Sequence, residues 1–229
     1  FCLSRGLGDV YKRQVQTYLA DLSNLSDAMA FGEQVRAEHK SLDVLINNAG
    51  VLKVPVSRTQ DGLDIRFSVN TIAPYMLTQC LATVLGKDGR VINLSSAAQA
   101  PVDIEALKGN VSLSDMEAYA QSKLAITMWT KTLAHSYQDS GPNLIAVNPG
   151  SLLASKMVKE GFGIAGNDLS IGAKVLIRMA LDENMDKYNG QYFDHDIGEY
   201  SSPHEDGLNE QKSVQIIDVM KAIIANHCK

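Results

Sequence analysis

The chain has 229 residues, 45% of them hydrophobic and 21% charged, which buries a sizeable core in one compact domain or a cramped pair and excludes global disorder. Its 21 Lys and Arg against 26 Asp and Glu give a net charge of −5, so no basic stripe serves a phosphate backbone and nucleic acid is excluded as a partner. No apolar run approaches the roughly 18 residues of a membrane span, and no short apolar core with a small-residue cleavage site opens the chain. Cys2, Cys80 and Cys228 are too few and too scattered for a disulfide framework or metal knuckle. A soluble protein of the reducing cytoplasm, with no membrane partner, is expected.

In chain order, residues 1–14 fit no element. Gly6-Leu7-Gly8 suggests a dinucleotide loop, but only five residues precede it and Tyr11-Lys12-Arg13-Gln14 follows where an apolar helix should start. The segment looks like translated sequencing-adapter read-through, so 1–14 is read as a non-native leader. Strands are expected at 15–20, 43–46, 90–94, 144–147 and 191–193, several continuously apolar as in a sheet covered on both faces. Helices are expected near 25–39, 60–85, 115–139 and 170–181. Repeated strand-then-helix order predicts right-handed crossovers and a single α/β domain with a parallel doubly wound sheet. Ligands bind such sheets at the carboxyl ends of the strands. The residues at those ends are Asp21, then Asn47, Asn48, Ala49 and Gly50, then Ser95 and Ser96, and last Asn148, Pro149, Gly150 and Ser151.

Tyr119 and Lys123 lie one turn apart on one face of the third helix. An ammonium about 4 Å from the phenol, at an effective dielectric near 20, is worth roughly 4 kcal/mol or about three pKa units. That would carry the phenol towards neutrality, where general acids and bases work best. The same spacing also describes an ordinary solvated helix face. Ser95 and Ser96 could polarise a carbonyl oxygen at a strand end or simply turn the chain. Asn47 and Asn48 could tie strand ends together while Ala49 and Gly50 admit a ligand, or form an Asn/Gly turn. Pro74, lacking an N–H, frees the carbonyl of Asn70 to hold a water, or merely kinks the helix.

Taken in order, Asp21, Asn47-Asn48-Ala49-Gly50, Asn70, Ser95-Ser96, Tyr119-x-x-x-Lys123 and Asn148-Pro149-Gly150 form one pattern. It resembles the short-chain dehydrogenase/reductase family over about 15–200. The resemblance implies a Rossmann-like fold, NAD or NADP as cofactor, and a catalytic set of Asn70, Ser96, Tyr119 and Lys123. In such enzymes the Tyr exchanges a proton with the substrate oxygen and the Ser holds that oxygen. The Lys binds the nicotinamide ribose and lowers the Tyr pKa, and the Asn anchors a water. By the same resemblance Asp21 and Leu22 contact adenine, Asn48, Ala49 and Gly50 line the ribose side, and Pro149, Gly150 and Ser151 border the nicotinamide. The family's first two strands and glycine-bearing turn would precede residue 15, so 15–229 is read as an incomplete dinucleotide-binding oxidoreductase domain whose cofactor affinity suffers.

Ser96 precedes Tyr119 by 23 residues, a spacing similar to the retinol-dehydrogenase-like and protochlorophyllide-reductase-like subgroup. Where many relatives place a threonine after Pro149-Gly150, this chain has Ala154 and then Ser155. Residues 151–170, with Gly161, Gly163 and Gly166, read as a substrate lid or a plain surface helix. His195 between Asp194 and Asp196 lacks the spacing of hydrolytic zinc motifs and reads as a solvated C-terminal loop, with no metal expected. Met128 and Trp129 serve either the core or a subunit contact. The implied function is a hydride-transfer oxidoreductase acting on a small-molecule alcohol or carbonyl, with a homodimer or homotetramer as its assembly. An epimerase or dehydratase of the same fold is the enzymatic rival, disfavoured by the 80 residues after Pro149. A silent dinucleotide-binding or scaffold protein is the non-enzymatic one.

Overall fold

The computed structural model describes residues 15–228; the leader expected over 1–14, with Gly6 and Gly8, lies outside the described residues. The first helix, α1 (Leu25–Glu38), starts where Asn24 accepts the backbone N–H groups of Ser26 and Asp27, and it buries a stripe of Leu25, Ala28, Gly32 and Val35. Gly32 lets α1 sit close to its neighbour: a Cβ there would meet Cys80 and Leu77 at 3.2 Å. Strand β1 (Val44–Asn47) follows. The helix expected over 60–85 is in fact three pieces. These are α2 (Ile65–Phe67), a π-helical turn (Ser68–Ile72) and α3 (Ala73–Leu85), with Pro74 in the first turn of α3. Pro74 has no N–H to give to a regular helical ladder, and the wide turn before it absorbs the irregularity.

Next come β2 (Arg90–Leu94), the short α4 (Ile104–Leu107) and the long α5 (Asp115–Tyr137). A capping box between Ser114 and Glu117 fixes where α5 starts, and its middle is buried almost all round. After it run β3 (Asn143–Asn148), α6 (Lys156–Phe162), α7 (Leu169–Leu181), β4 (Tyr192–Asp194), β5 (Glu199–Ser201) and α8 (Glu210–His227). The sheet order is β1-β2-β3-β4-β5, parallel through β4, with β5 antiparallel to β4. The parallel doubly wound sheet is therefore present with an added antiparallel edge. The segment around His195, expected as a solvated loop, is the turn of that β4–β5 hairpin.

Alternate residues of the strands face two separate cores. Val91 and Leu144 pack with α1, α3, α5 and α8, in a core that includes Met128 and Trp129. Ile92, Leu94, Ile145 and Val147 pack with Val175 and Met179 of α7. Burial of Met128 and Trp129 at 1% and 0% exposure assigns both to the core and not to a subunit contact.

One expected strand is not formed. Residues 15–20 are extended but pair with no strand, and Val15 and Leu19 are 74% and 100% exposed. The Tyr18 hydroxyl donates to Glu38 at 2.7 Å and lies 2.9 Å from His39, which ties the segment to the end of α1. The run that reads as a strand finds no sheet partner among the described residues.

Buried amides lock the parallel strands. Asn47 on β1 donates to Asn93 on β2 at 2.8 Å, and Asn93 donates to Thr130 on α5 at 2.8 Å. Asn93→Leu keeps the volume but removes both bonds and should cost about 2–3 kcal/mol, read as a lower urea midpoint at unchanged slope. An unchanged midpoint would show that the amides do not hold the sheet together.

Candidate active site

The carboxyl ends of β1, β2 and β3 and the first half of α5 surround one cleft. The Lys123 side chain runs under the end of β2, where its Nζ donates to the Leu94 carbonyl at 2.7 Å. That nitrogen lies 5.6 Å from the centre of the Tyr119 ring. Ser95, the residue after β2, is inward: its hydroxyl bonds the Lys123 carbonyl at 2.9 Å and the Thr127 hydroxyl at 2.7 Å. Ser96 is the serine that opens to the cleft, where its hydroxyl accepts from the Ala98 N–H at 3.1 Å and is near enough to the Tyr119 phenol to pull its pKa down. The structure therefore brings Ser96, Tyr119 and Lys123 together and assigns Ser95 to the helix–strand joint.

Asn70 lies in the π-helical turn and is fully buried. Its side chain donates to the Val51 carbonyl at 2.9 Å and to the Ser122 hydroxyl at 3.0 Å, and it accepts from the Val51 N–H at 2.8 Å. The backbone carbonyl freed by Pro74 is the feature of Asn70 that stands out in the sequence. The side chain instead clamps the loop after β1 to α5, one residue from Lys123. Gly50 in that loop faces the same two groups: a Cβ there would stand 3.5 Å from both Asn70 Oδ1 and Lys123 Nζ. A side chain at 50 would cover the ammonium.

Asn48 and Ala49 are exposed beside Gly50. Asp21 is exposed and uses its carboxylate to accept the Ser23 N–H and hydroxyl at 2.9 and 2.7 Å, with Leu22 half-buried next to it. Pro149, Gly150 and Ser151 follow β3, strapped down by the β4–β5 turn. Asn148 donates to Asp194 at 2.8 Å and to Asp196 at 2.9 Å, and the Ser151 N–H donates to Asp196 at 2.8 Å. Asp194 and Asp196 thus hold the loop in place, and no cluster of three metal-ligating side chains exists among the described residues. Ser155 uses its hydroxyl to cap α6 through the Val158 N–H at 3.3 Å. Residues 151–170 form a flap fastened to itself, with the Ala154 N–H on the Asn167 carbonyl at 2.7 Å. The flap rests on the loop after β1, where a Cβ on Gly161 would lie 2.9 Å from Leu52.

Burial decides the charge states. It pushes the Tyr119 phenol up, and the Ser96 hydrogen bond pulls the other way. Burial also brings the Lys123 ammonium down to about 8. The expectation that Lys123 pulls the phenol towards neutrality is therefore not met in the chain alone. The ammonium is bonded to Leu94 and not to the phenol oxygen, and desolvation penalises both charged forms.

The short chain dehydrogenase family model matches residues 4–162. Retinol dehydrogenase 12 of Mus musculus is 34% identical over 198 residues, covering 81% of this chain and 62% of the relative. Retinol dehydrogenase 13 of Mus musculus is 31% identical over 206 residues, covering 82% and 62%. The chain thus spans 62% of the length of these curated relatives. Among solved structures, an uncharacterized protein from Mycobacterium paratuberculosis superposes with a TM-score of 0.71 at 22% identity, over 90% of this chain and 74% of that one. The NADPH-bound carbonyl reductase from chicken fatty liver gives 0.57 at 23% identity, over 80% and 75%. No helix of the described residues is long and apolar enough to cross a membrane. Fold, ordered motifs and sequence similarity agree, and the chain belongs to the short-chain dehydrogenase family.

Proposed function

We propose that this chain carries the catalytic half of an NAD- or NADP-dependent oxidoreductase that interconverts an alcohol and a carbonyl. The observation that carries this reading is the convergence of the Ser96 hydroxyl, the Tyr119 phenol and the Lys123 ammonium at the end of β2. The relatives' name, retinol dehydrogenase, and the exposed Met116 one turn before Tyr119 favour an apolar substrate. Free Cys80 and Cys228 suit a reducing compartment such as the cytoplasm.

The residues present fit a nicotinamide nucleotide. An ammonium has three hydrogens to give, and Lys123 Nζ meets one protein acceptor, Leu94, among the described residues. Gly50 places no side chain over that nitrogen. Lys123, Asn48, Gly50 and the Pro149-Gly150-Ser151 loop would hold the ribose and nicotinamide, which supplies or accepts the hydride. The protein's part is the proton. Tyr119, kept neutral by burial, gives its proton to the developing alkoxide, Ser96 donates a hydrogen bond to that same oxygen, and the Lys123 charge stabilises the phenolate left behind. Asn70 keeps the loop bearing Gly50 in register with α5.

Tyr119→Phe should lower turnover of NADH or NADPH with an aldehyde panel by at least about a hundredfold and leave cofactor affinity nearly intact. Lys123→Met should lower both. A Tyr119→Phe chain with full activity would refute the mechanism. The pH dependence has a definite sign. Lys123 is cationic below its pKa of about 8, so carbonyl reduction should hold steady on the acid side and fall as pH rises through that value. A reduction rate that climbs through pH 8 would contradict the assignment of charge.

A further inference from the structure

The backbone of Ser96 is held from behind by two donors that lie outside the catalytic set. Its carbonyl accepts from the Tyr192 hydroxyl on β4 at 3.0 Å and from the Gln99 side-chain amide at 3.0 Å. Gln99 is itself held: its amide oxygen accepts the His204 N–H at 2.9 Å. His204 belongs to the segment between β5 and α8, which is pressed against α5. A Cβ on Gly207 would meet Pro203 at 2.8 Å and Leu124, the neighbour of Lys123, at 3.1 Å. Tyr192 is 5% exposed, and burial with the nearby Asp194 and Asp196 keeps its hydroxyl protonated, so it remains a donor. A serine carbonyl at a strand end has free torsions on its far side. Two donors, Tyr192 from β4 and Gln99 from three residues along the same loop, remove them and aim the hydroxyl.

We propose that Tyr192 and Gln99 are positioning residues that set the direction of the Ser96 hydroxyl, and that the segment from Pro203 to Leu208 acts on the catalytic centre through Gln99. Nothing in the mechanism above uses either side chain directly. Their effect passes through Ser96, so the inference rests on the oxidoreductase reading of that serine. A hydrogen bond helps the transition state only if its donor already points at the charge that develops. Loosening Ser96 should therefore cost rate and not cofactor binding.

The test uses Tyr192→Phe, which removes one hydroxyl, and Gln99→Glu, which keeps the acceptor for His204 and removes the donor to Ser96. Each, made alone and together, is compared with Ser96→Ala in the full chain. Each single change should lower kcat about threefold to tenfold, the span of one hydrogen bond, with the KM for cofactor unchanged. The losses should vanish when Ser96 is already Ala. The Ala98 amide, which donates to the Ser96 hydroxyl, should exchange faster with solvent in both variants by more than the fall in global stability accounts for. Equal kcat in the double variant and the parent, where Ser96→Ala is impaired, overturns the proposal. So does a loss that persists undiminished in the Ser96→Ala background, which would mark a general structural role. If Ser96→Ala keeps full activity, the oxidoreductase reading of Ser96 fails instead. The Ala98 amide then still decides positioning, and unchanged exchange in the double variant overturns it.

Discussion

A lysine ammonium bonded to the last carbonyl of β2 joins the fold to the chemistry. Lys123 is 4% exposed, and its reach to Leu94 docks α5 onto the strand end. Placing a charge there is costly, and the surroundings reduce that cost with built-in polar joints. Ser95 and Thr127 satisfy the Lys123 carbonyl, Asn70 ties Ser122 to Val51, and Asn93 ties Thr130 to Asn47. Each bond falls on successive inner positions of α5. The helix is consequently fixed in rotation as well as position, and Tyr119 must point into the cleft.

Burial and charge compete for Tyr119, and the distances decide between them. An ammonium in contact with the phenol oxygen would lower its pKa by several units. Here the nitrogen stands 5.6 Å from the ring centre and spends a hydrogen bond on Leu94, so desolvation sets the direction for both groups. The resting pair is a neutral phenol beside a weakened ammonium. That state is ready to give a proton and has little tendency to lose one to solvent, which suits carbonyl reduction.

Much of this was legible in the sequence. The strands at 43–46, 90–94 and 144–147 were legible as short apolar runs, and β1, β2 and β3 follow them closely, with β2 and β3 buried on both faces and β1 partly open at Ile46. Tyr119, Ser96, Lys123 and Asn70 stand out in the sequence because their order along the chain is distinctive, and the structure gathers them around the end of β2 and the start of α5. What failed depended on long-range partners. The run at 15–20 had strand-like residues but found Glu38 and His39 instead of a neighbouring strand. Asp194 and Asp196 read as part of a solvated loop because their partners Asn148 and Ser151 are distant in sequence, and Tyr192 falls in the expected strand at 191–193, which says nothing of its reach to Ser96. The one signal at hand was an acidic hairpin turn directly after a strand of a doubly wound sheet. Helix α8, with buried Ile216, Ile217, Met220 and Ile223, is not among the expected elements.

The account stands on the charge state of one buried lysine. Lysine labelled with 15N at Nζ, assigned by comparison with Lys123→Met, permits its titration to be followed directly by NMR in the folded chain. The account predicts a midpoint near pH 8 for Lys123. A midpoint near the ordinary lysine value of about 10.4 would mean that the ammonium is solvated, and the docking of α5 through Leu94 would be contradicted.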